Sequence, residues 1–181
     1  MNYCGDIKEI MFSAEQIKKR IDEMAKQIAQ DYAGKRPLVI GVLKGAWIFV
    51  ADLLRSLELP ADVDFICASS YGSGTSTTGE VTLLKDVTLD CRKRDILLVE
   101  DIIDSGVTLS LLKQMMIERK ANSVNIVTLL SKPSRRQVNV DVKYVGFEIP
   151  DEFVVGYGMD YDERYRTLNY IGVLREDVYK K

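Results

Sequence analysis

No histidine occurs anywhere in the 181 residues. That absence removes the Ser-His-Asp triad and the Cys-His nucleophile pair. It also removes imidazole zinc sites and the H-E-x-x-H helix. If the chain is catalytic, its acids and bases are carboxylates, lysine, tyrosine or cysteine. Cysteine is scarce too: Cys4, Cys67 and Cys91 are odd in number, widely spaced and form no C-x-x-C. This argues against a disulfide framework or a Cys-only zinc site and for a reducing, cytoplasmic setting. Neither charge sign dominates, with 25 Lys and Arg against 27 Asp and Glu and a pI near 5.3, which weighs against a dedicated nucleic-acid binder. No apolar run approaches the ~20 residues that span a bilayer. Asp6, Lys8 and Glu9 interrupt the stretch where a signal peptide would be apolar. Neither a membrane nor an export signal is therefore expected. Repeats and linkers are lacking as well. A chain of this length is expected to fold as a single domain, residues 1–181, and to bury roughly 70% of its unfolded surface without a disulfide or metal staple.

What is present alternates between buried strands and amphipathic helices. Ser13 with Gln16 three residues on forms a capping box. Ile17, Ile21, Met24, Ala25, Ile28 and Tyr32 then recur at helical spacing, and Gly34 and Pro37 end the helix. Its other face (Lys18, Lys19, Arg20, Asp22, Glu23, Lys26) is expected to be solvated. Leu38–Leu43 (LVIGVL) is near-continuously apolar, as in a strand covered on both sides. Ala46–Leu57 reads as a helix and Asp62–Ser69 as a strand. Tyr71–Gly79 (YGSGTSTTG) has three glycines and almost nothing to bury. It is either a plain hairpin connection or a loop that closes over a site, and it leads to a strand at Val81–Leu84. Strands at Asp95–Val99, Val124–Leu130, Val142–Phe147 and Tyr170–Leu174, with a helix at Val107–Lys120, complete an α/β pattern with a mostly parallel sheet.

The stretch Leu97–Thr108 (LLVEDIIDSGVT) carries the most chemistry. A buried strand runs into Glu100 and Asp101, and Asp104 follows. In parallel sheets, ligands sit at the carboxyl ends of the strands. Two adjacent carboxylates there are costly unless they meet a cation, hydroxyls or hydrogen-bond donors, so a sugar diol and a divalent metal both suit them. Asp104-Ser105-Gly106-Val107-Thr108 then opens a helix, whose free amides form an anion site that glycine lets a ligand approach. A sugar phosphate fits this order; an exposed acidic turn capped by Asp104 or Ser105 is the plainer alternative. Neither a Walker P-loop nor a dinucleotide fingerprint is present.

VEDIIDSGVT closely resembles the phosphoribosyl-pyrophosphate (PRPP) motif of the type I phosphoribosyltransferases. VLKG (Val42–Gly45), SSYGSGT (Ser69–Thr75), SKPSRR (Ser131–Arg136) and VGFEIPDEFVVGYGMDYDERYR (Val145–Arg166) narrow the likeness to the hypoxanthine-guanine, or 6-oxopurine, branch. The match runs through almost the whole chain in order. It implies a mostly parallel central sheet flanked by helices, with a core at about residues 35–135 and a small hood built from the chain ends. The implied reaction joins hypoxanthine or guanine to PRPP, giving IMP or GMP plus pyrophosphate, with Mg2+ as cofactor. A homo-oligomer (dimer or tetramer) is implied as well. A regulator of the same fold that binds nucleic acid is the alternative, and the acidic pI and lack of a basic segment count against it.

Carried over residue by residue, the resemblance gives Glu100 and Asp101 the ribose hydroxyls and a metal. It gives Asp104, Ser105, Gly106, Val107 and Thr108 the 5′-phosphate. Asp104 also faces purine N7, as proton acceptor or as electrostatic partner, and is the catalytic residue. Leu43, Lys44 and Gly45, often with a non-proline cis peptide, and Arg166 take the pyrophosphate. Lys132 donates to purine O6, Phe153 stacks on the base, and Val154 meets it through its backbone. Asp160 borders the purine site and is the metal ligand on the pyrophosphate side. Ser70 and Tyr71 open a closing loop. Without the resemblance, Lys44 and Lys132 read as surface cations, Phe153 and Val154 as core, and Asp160, Asp162 and Glu163 as a solvated acidic run.

With no imidazole in the chain, a pH profile of turnover between about 5 and 8 should reflect substrate or environment-shifted ionisations. A titration step in that range that neither moves when the substrate is varied nor disappears when Glu100, Asp101 or Asp104 is replaced would contradict this.

Overall fold

The structure is a computed structural model and describes residues 5–70 and 81–180. Its first strand, β1 (Ile7–Phe12), leads into helix α1 (Ala14–Asp31). The expected capping box is formed: Gln16 N–H donates to Ser13 Oγ, and Ser13 N–H donates to Gln16 Oε1 at 2.8 Å. Strand β2 (Leu38–Leu43), helix α2 (Trp47–Ser56), β3 (Asp62–Ser70) and β4 (Val81–Lys85) follow. Then come β5 (Asp95–Ile103), α3 (Val107–Glu118) and β6 (Ser123–Ser131). The chain ends with β7 (Tyr144–Glu148), β8 (Val154–Val155), β9 (Ile171–Leu174) and the single-turn helix α4 (Glu176–Tyr179).

Six strands form the main sheet in the order β4-β3-β2-β5-β6-β7, parallel except for the antiparallel β3–β4 pair. Alternation along the strands divides the core in two. Val39, Leu97 and Val99 pack with α1 and α2 on one face. Leu38, Ile40, Ile96 and Leu98 pack with α3 on the other. A sheet covered on both sides explains the continuous apolar runs. A second sheet, β1-β9-β8, joins the two ends of the chain antiparallel. Val154, Ile171 and Val173 of this hood share the core of the α1/α2 face. Among the described residues no helix is long and apolar enough to cross a membrane, and Cys67 and Cys91 are free thiols.

Four features depart from the sequence pattern. Strand β5, for which the sequence pattern predicts an end at Val99, runs on to Ile103 and carries Glu100 and Asp101 within the strand. The ladder to β6 (Glu100 opposite Thr128, Ile102 opposite Leu130) overrides the poor strand preference of the carboxylates. Arg20 is not part of a solvated face: it reaches across to β7 and donates to the Gly146 and Val145 carbonyls, at 2.7 Å each. The sequence pattern does not predict strand β1, because Lys8 and Glu9 mask an alternation that only pairing with β9 completes. Ser70 is the last residue of β3, opposite Val81, rather than the first of a loop. Tyr71 lies outside the described residues.

One buried carboxylate fastens the sheet edge. Asp64 Oδ2 accepts from Thr88 N (2.6 Å), Leu89 N (3.0 Å) and Thr88 Oγ1 (3.0 Å). Its Oδ1 accepts from Phe65 N (2.7 Å) and Lys85 Nζ (3.2 Å). Burial alone would raise its proton affinity. The Leu89, Phe65 and Thr88 amides and Lys85 outweigh this and hold the carboxyl well below the usual range. A depressed folded-state pKa stabilises the fold above the unfolded value of about 3.9, and this contribution is lost as pH falls through the folded value. Asp64→Asn should therefore cost about 1–3 kcal/mol at pH 7 and shrink the acid-dependent loss of stability below about pH 4. Urea titrations of both proteins at pH 7 and pH 3 check this, and an equal acid loss in the two would refute it.

Candidate active site

The carboxyl ends of β2, β5 and β6 open into a cleft with two lobes, about 420 Å³ and about 260 Å³. Leu43, Lys44, Gly45 and Asp104 border both lobes. Asp101, Lys132, Phe153, Val154, Asp160 and Arg166 line the larger lobe. Glu100, Ser105, Gly106 and Thr108 line the smaller. Of the residues singled out in the sequence, Val107 borders neither lobe and instead begins α3.

The acidic pair is divided by strand alternation. The Asp101 carboxylate lies against the Cα of Gly45 in the larger lobe, while Glu100 borders the smaller one. Burial, and then the neighbouring Asp101 charge, push the Glu100 carboxyl well above its ordinary range. A cation or a pair of hydroxyls would relieve that crowding. Among the described residues no group of three or more His, Cys, Asp or Glu side chains gathers around a common point to hold a metal. Carboxylates that come singly or in a pair still suit magnesium, which keeps several waters and takes one or two carboxylates plus substrate oxygens.

Past β5 the chain turns at Gly106, whose φ of +82° lies in the left-handed region that glycine adopts freely. Gly106 is the N-cap of α3 and offers no side chain. The Ser105 hydroxyl accepts the Val107 amide at 3.3 Å, and the rest of the first turn has no intrahelical partner, which leaves it open to an anion. The turn is braced from the segment after β6. Gln137 N–H and Val138 N–H both donate to the Ser105 carbonyl, at 2.9 and 3.1 Å. Arg136 donates to the Asp104 carbonyl and the Ser131 hydroxyl, 2.9 Å each.

Lys132 directly follows β6 and is nearly buried, its side chain 9% exposed. Its Nζ stands 3.6 Å from Asp104 Oδ1 and 3.8 Å from Asp151 Oδ1. Among the described residues, two buried side-chain polar atoms have no hydrogen-bond partner: Asp104 Oδ1 and Arg166 Nε. Both belong to the cleft, where orphaned buried groups point to a missing ligand. Beyond Lys132, Phe153 stacks on Tyr179 with centroids 4.7 Å apart and meets Tyr161 edge-on at 5.7 Å.

The opposite wall is a tightly wound loop. Gly156, Tyr157, Gly158, Asp162, Glu163 and Tyr165 all have positive φ, which is uncommon for the non-glycine members and clusters at functional sites. The loop closes on itself through Gly158 N to Arg166 O and Tyr157 N to Leu168 O, 2.9 Å each. It is tied to α2 by Tyr157 OH donating to Asp52 Oδ2 at 2.6 Å. Gly158 packs on the carbonyl of Gly45, where a Cβ would come within 2.1 Å of that oxygen. The Leu43–Lys44 peptide beside it is cis. This folding brings Asp160 to 2.9 Å from Arg166 Nη2 and Lys44 Nζ to 2.8 Å from Glu163.

A model of the phosphoribosyl transferase domain matches residues 9–162. The chain belongs to the phosphoribosyl transferase family. It is 49% identical, over 97% of its length and 98% of the relative's, to a hypoxanthine-guanine phosphoribosyltransferase of Streptococcus thermophilus. Identity to one from Mycobacterium tuberculosis is 50%, over 98% of this chain and 91% of that protein. A crystal structure of a hypoxanthine phosphoribosyltransferase from Staphylococcus aureus superimposes with a TM-score of 0.95 at 44% identity, covering 98% of this chain and 96% of that one. The fold is thus the type I phosphoribosyltransferase fold, central parallel sheet and hood included.

Four residues in or beside the cleft carry no site signal of their own in the sequence: Glu163 lines the larger lobe, while Arg136, Asp151 and Tyr179 contact residues that line it. Arg136 and Asp151 lie inside quoted motifs without a chemical reason of their own. Glu163 reads as part of a charged run. Tyr179 stands 26 residues from Phe153, in α4 near the end of the chain, and only the folded structure stacks the two rings. For Arg136 the structure predicts a positioning role. Arg136→Leu should weaken binding of ribose 5-phosphate roughly tenfold, the worth of one or two lost hydrogen bonds to a charged donor. Arg136→Lys should not restore it, since a lysine lacks the fork that spans both acceptors. Calorimetric titration measures this, and unaltered affinity in the leucine variant would rule the role out.

Proposed function

We propose that this chain transfers the 5-phosphoribosyl group of PRPP to N9 of hypoxanthine or guanine, releasing IMP or GMP and pyrophosphate. The observation that carries this reading is the pairing of Lys132 Nζ with the unpartnered Asp104 Oδ1 at 3.6 Å. O6 and N7 lie side by side on one edge of a 6-oxopurine. An ammonium beside a free carboxylate oxygen matches an O6 acceptor next to an N7–H donor. Adenine presents an amino donor at C6 instead, which would meet Lys132 unfavourably. Phe153 and Val154 border the same lobe, where they would hold the ring by stacking and by backbone contact.

On the sugar side, the open first turn of α3 (Ser105, Gly106, Val107, Thr108) would take the 5′-phosphate. Glu100 and Asp101 would take the ribose hydroxyls. Lys44, Gly45 and Arg166 would take the pyrophosphate. In the reaction the C1′–O bond to pyrophosphate breaks and the C1′–N9 bond forms, with the N9 lone pair as the new bond. The purine proton passes from N7 to Asp104. As positive charge grows on the ribosyl ring, the carboxylates already fixed around it stabilise that charge. With Glu100 and Asp101 available on the ribose side and Asp160 on the pyrophosphate side, bound Mg2+ supplies charge neutralisation for the leaving group.

The names of the relatives favour this enzyme over the nucleic-acid-binding regulator. Cytoplasmic location, assembly as a homo-oligomer, and one domain with its core at about residues 35–135 belong to the same proposal.

Incubation with PRPP, Mg2+ and each of hypoxanthine, guanine, xanthine and adenine should give nucleotide with a 6-oxopurine and essentially none with adenine. No product from any 6-oxopurine would end the proposal. Asp104→Ala should lower kcat about 10²–10⁴-fold, the usual worth of a proton-transfer group, while PRPP affinity changes only a few-fold. A collapse of PRPP binding with turnover retained would move Asp104 from the base to the phosphate. Lys132→Ala should erode the preference for 6-oxopurines over adenine, and unchanged selectivity would refute its assignment.

A further inference from the structure

The two cations assigned to the pyrophosphate are both held by one carboxylate. Glu163 Oε1 accepts from Lys44 Nζ at 2.8 Å, and Glu163 Oε2 accepts from Arg166 Nη2 at 3.2 Å. Lys44 comes from the turn after β2 and Arg166 from the far side of the wound loop, so Glu163 spans the mouth of the subsite. Its side chain is 66% exposed, and ion pairs in that setting add little to stability. Yet the residue adopts a φ of +58°, which a glutamate rarely does without compensation. Its amide donates to Asp160 Oδ2 at 2.9 Å, which aims the side chain back across the cleft. A strained residue with no evident return in stability, placed on two cations meant for an anion, points to a role in ligand exchange.

We infer that Glu163 is an internal stand-in for a phosphate group: it bridges Lys44 and Arg166 when the subsite holds no substrate, yields to the pyrophosphate of PRPP, and returns as pyrophosphate leaves. The inference rests on the proposed pyrophosphate role of Lys44 and Arg166. Its physical content is competition. Pyrophosphate carries several negative charges to the single charge of Glu163, so it displaces the carboxylate, but only the fraction of molecules with Glu163 turned out can bind at once. Apparent affinity falls by that fraction. The cost applies to PRPP and to pyrophosphate and spares the purine, which contacts neither cation. It also keeps product from lingering, and product release limits turnover in many enzymes that close over their substrates.

The test measures binding of magnesium pyrophosphate by calorimetry to the wild-type protein and to Glu163→Gln and Glu163→Ala. An exposed side chain makes both variants safe for folding, and their melting temperatures confirm it. If Glu163 occupies the subsite about nine-tenths of the time, both variants bind pyrophosphate roughly tenfold tighter. The KM for PRPP falls in parallel, the purine KM does not move, and pyrophosphate release in single-turnover experiments slows. Unchanged or weaker pyrophosphate binding in both variants overturns the inference. Lys44→Ala and Arg166→Ala serve as the control for the underlying assignment. If neither weakens pyrophosphate binding, the assignment itself is wrong and the inference falls with it. If both weaken it while the Glu163 variants do not tighten it, the inference alone is wrong.

Discussion

Glu100 and Asp101 follow four strand residues, Ile96 to Val99, that are completely buried, and much of the cleft's architecture answers the electrostatic problem this creates. A strand cannot carry two adjacent carboxylates out of an apolar core without placing them near each other, where water is already scarce. Alternation along β5 gives one of them to each lobe, Asp101 against Gly45 and Glu100 toward the α3 turn. Burial, and then the repulsion that remains, raise the proton affinity of Glu100. A ligand with hydroxyls or a bound cation turns that penalty into binding energy, and the cleft is shaped to deliver one across both lobes.

The cations around this strand end are fixed before any ligand arrives. Arg136 is locked between the Asp104 carbonyl and the Ser131 hydroxyl. Arg166 is held by the Gly158 carbonyl and Asp160. Lys132 stands between Asp104 and Asp151. Preorganised charge of this kind costs little reorganisation when the reacting group becomes charged. The loop that carries Asp160, Glu163 and Arg166 owes its shape to a run of left-handed residues, closed by its own amides and pinned to α2 through Tyr157 and Asp52. Burial first, and then the Asp52 carboxylate, raise the pKa of the Tyr157 phenol, so that clasp keeps its proton across the physiological range.

Much of the central layer was legible because its determinants are local. The capping box at Ser13 and Gln16, the five buried positions of α1, and the apolar runs of β2 and β6 depend only on residues close in sequence. The hood was harder to read. Strand β1 carries Lys8 and Glu9, β8 is two residues long, and both exist only because β9 supplies their partners from more than a hundred and from about twenty residues away, respectively. Arg20 likewise looked solvated because the carbonyls it binds, at 145 and 146, are far off in sequence.

Order along the chain by itself determined the acidic strand end, the small-residue turn and the helix that follows it, since a strand–turn–helix unit brings its own residues together. It also determined that no imidazole takes part, because the chain has none. The tertiary structure alone decided which distant side chains meet: Lys132 with Asp104, Tyr179 with Phe153, and Glu163 between Lys44 and Arg166. Contacts across 119 residues, as between Lys44 and Glu163, arise from packing of whole elements. No local pattern of charge or polarity records them, so an exposed acidic run and a bridge across a binding site look the same until the chain is folded.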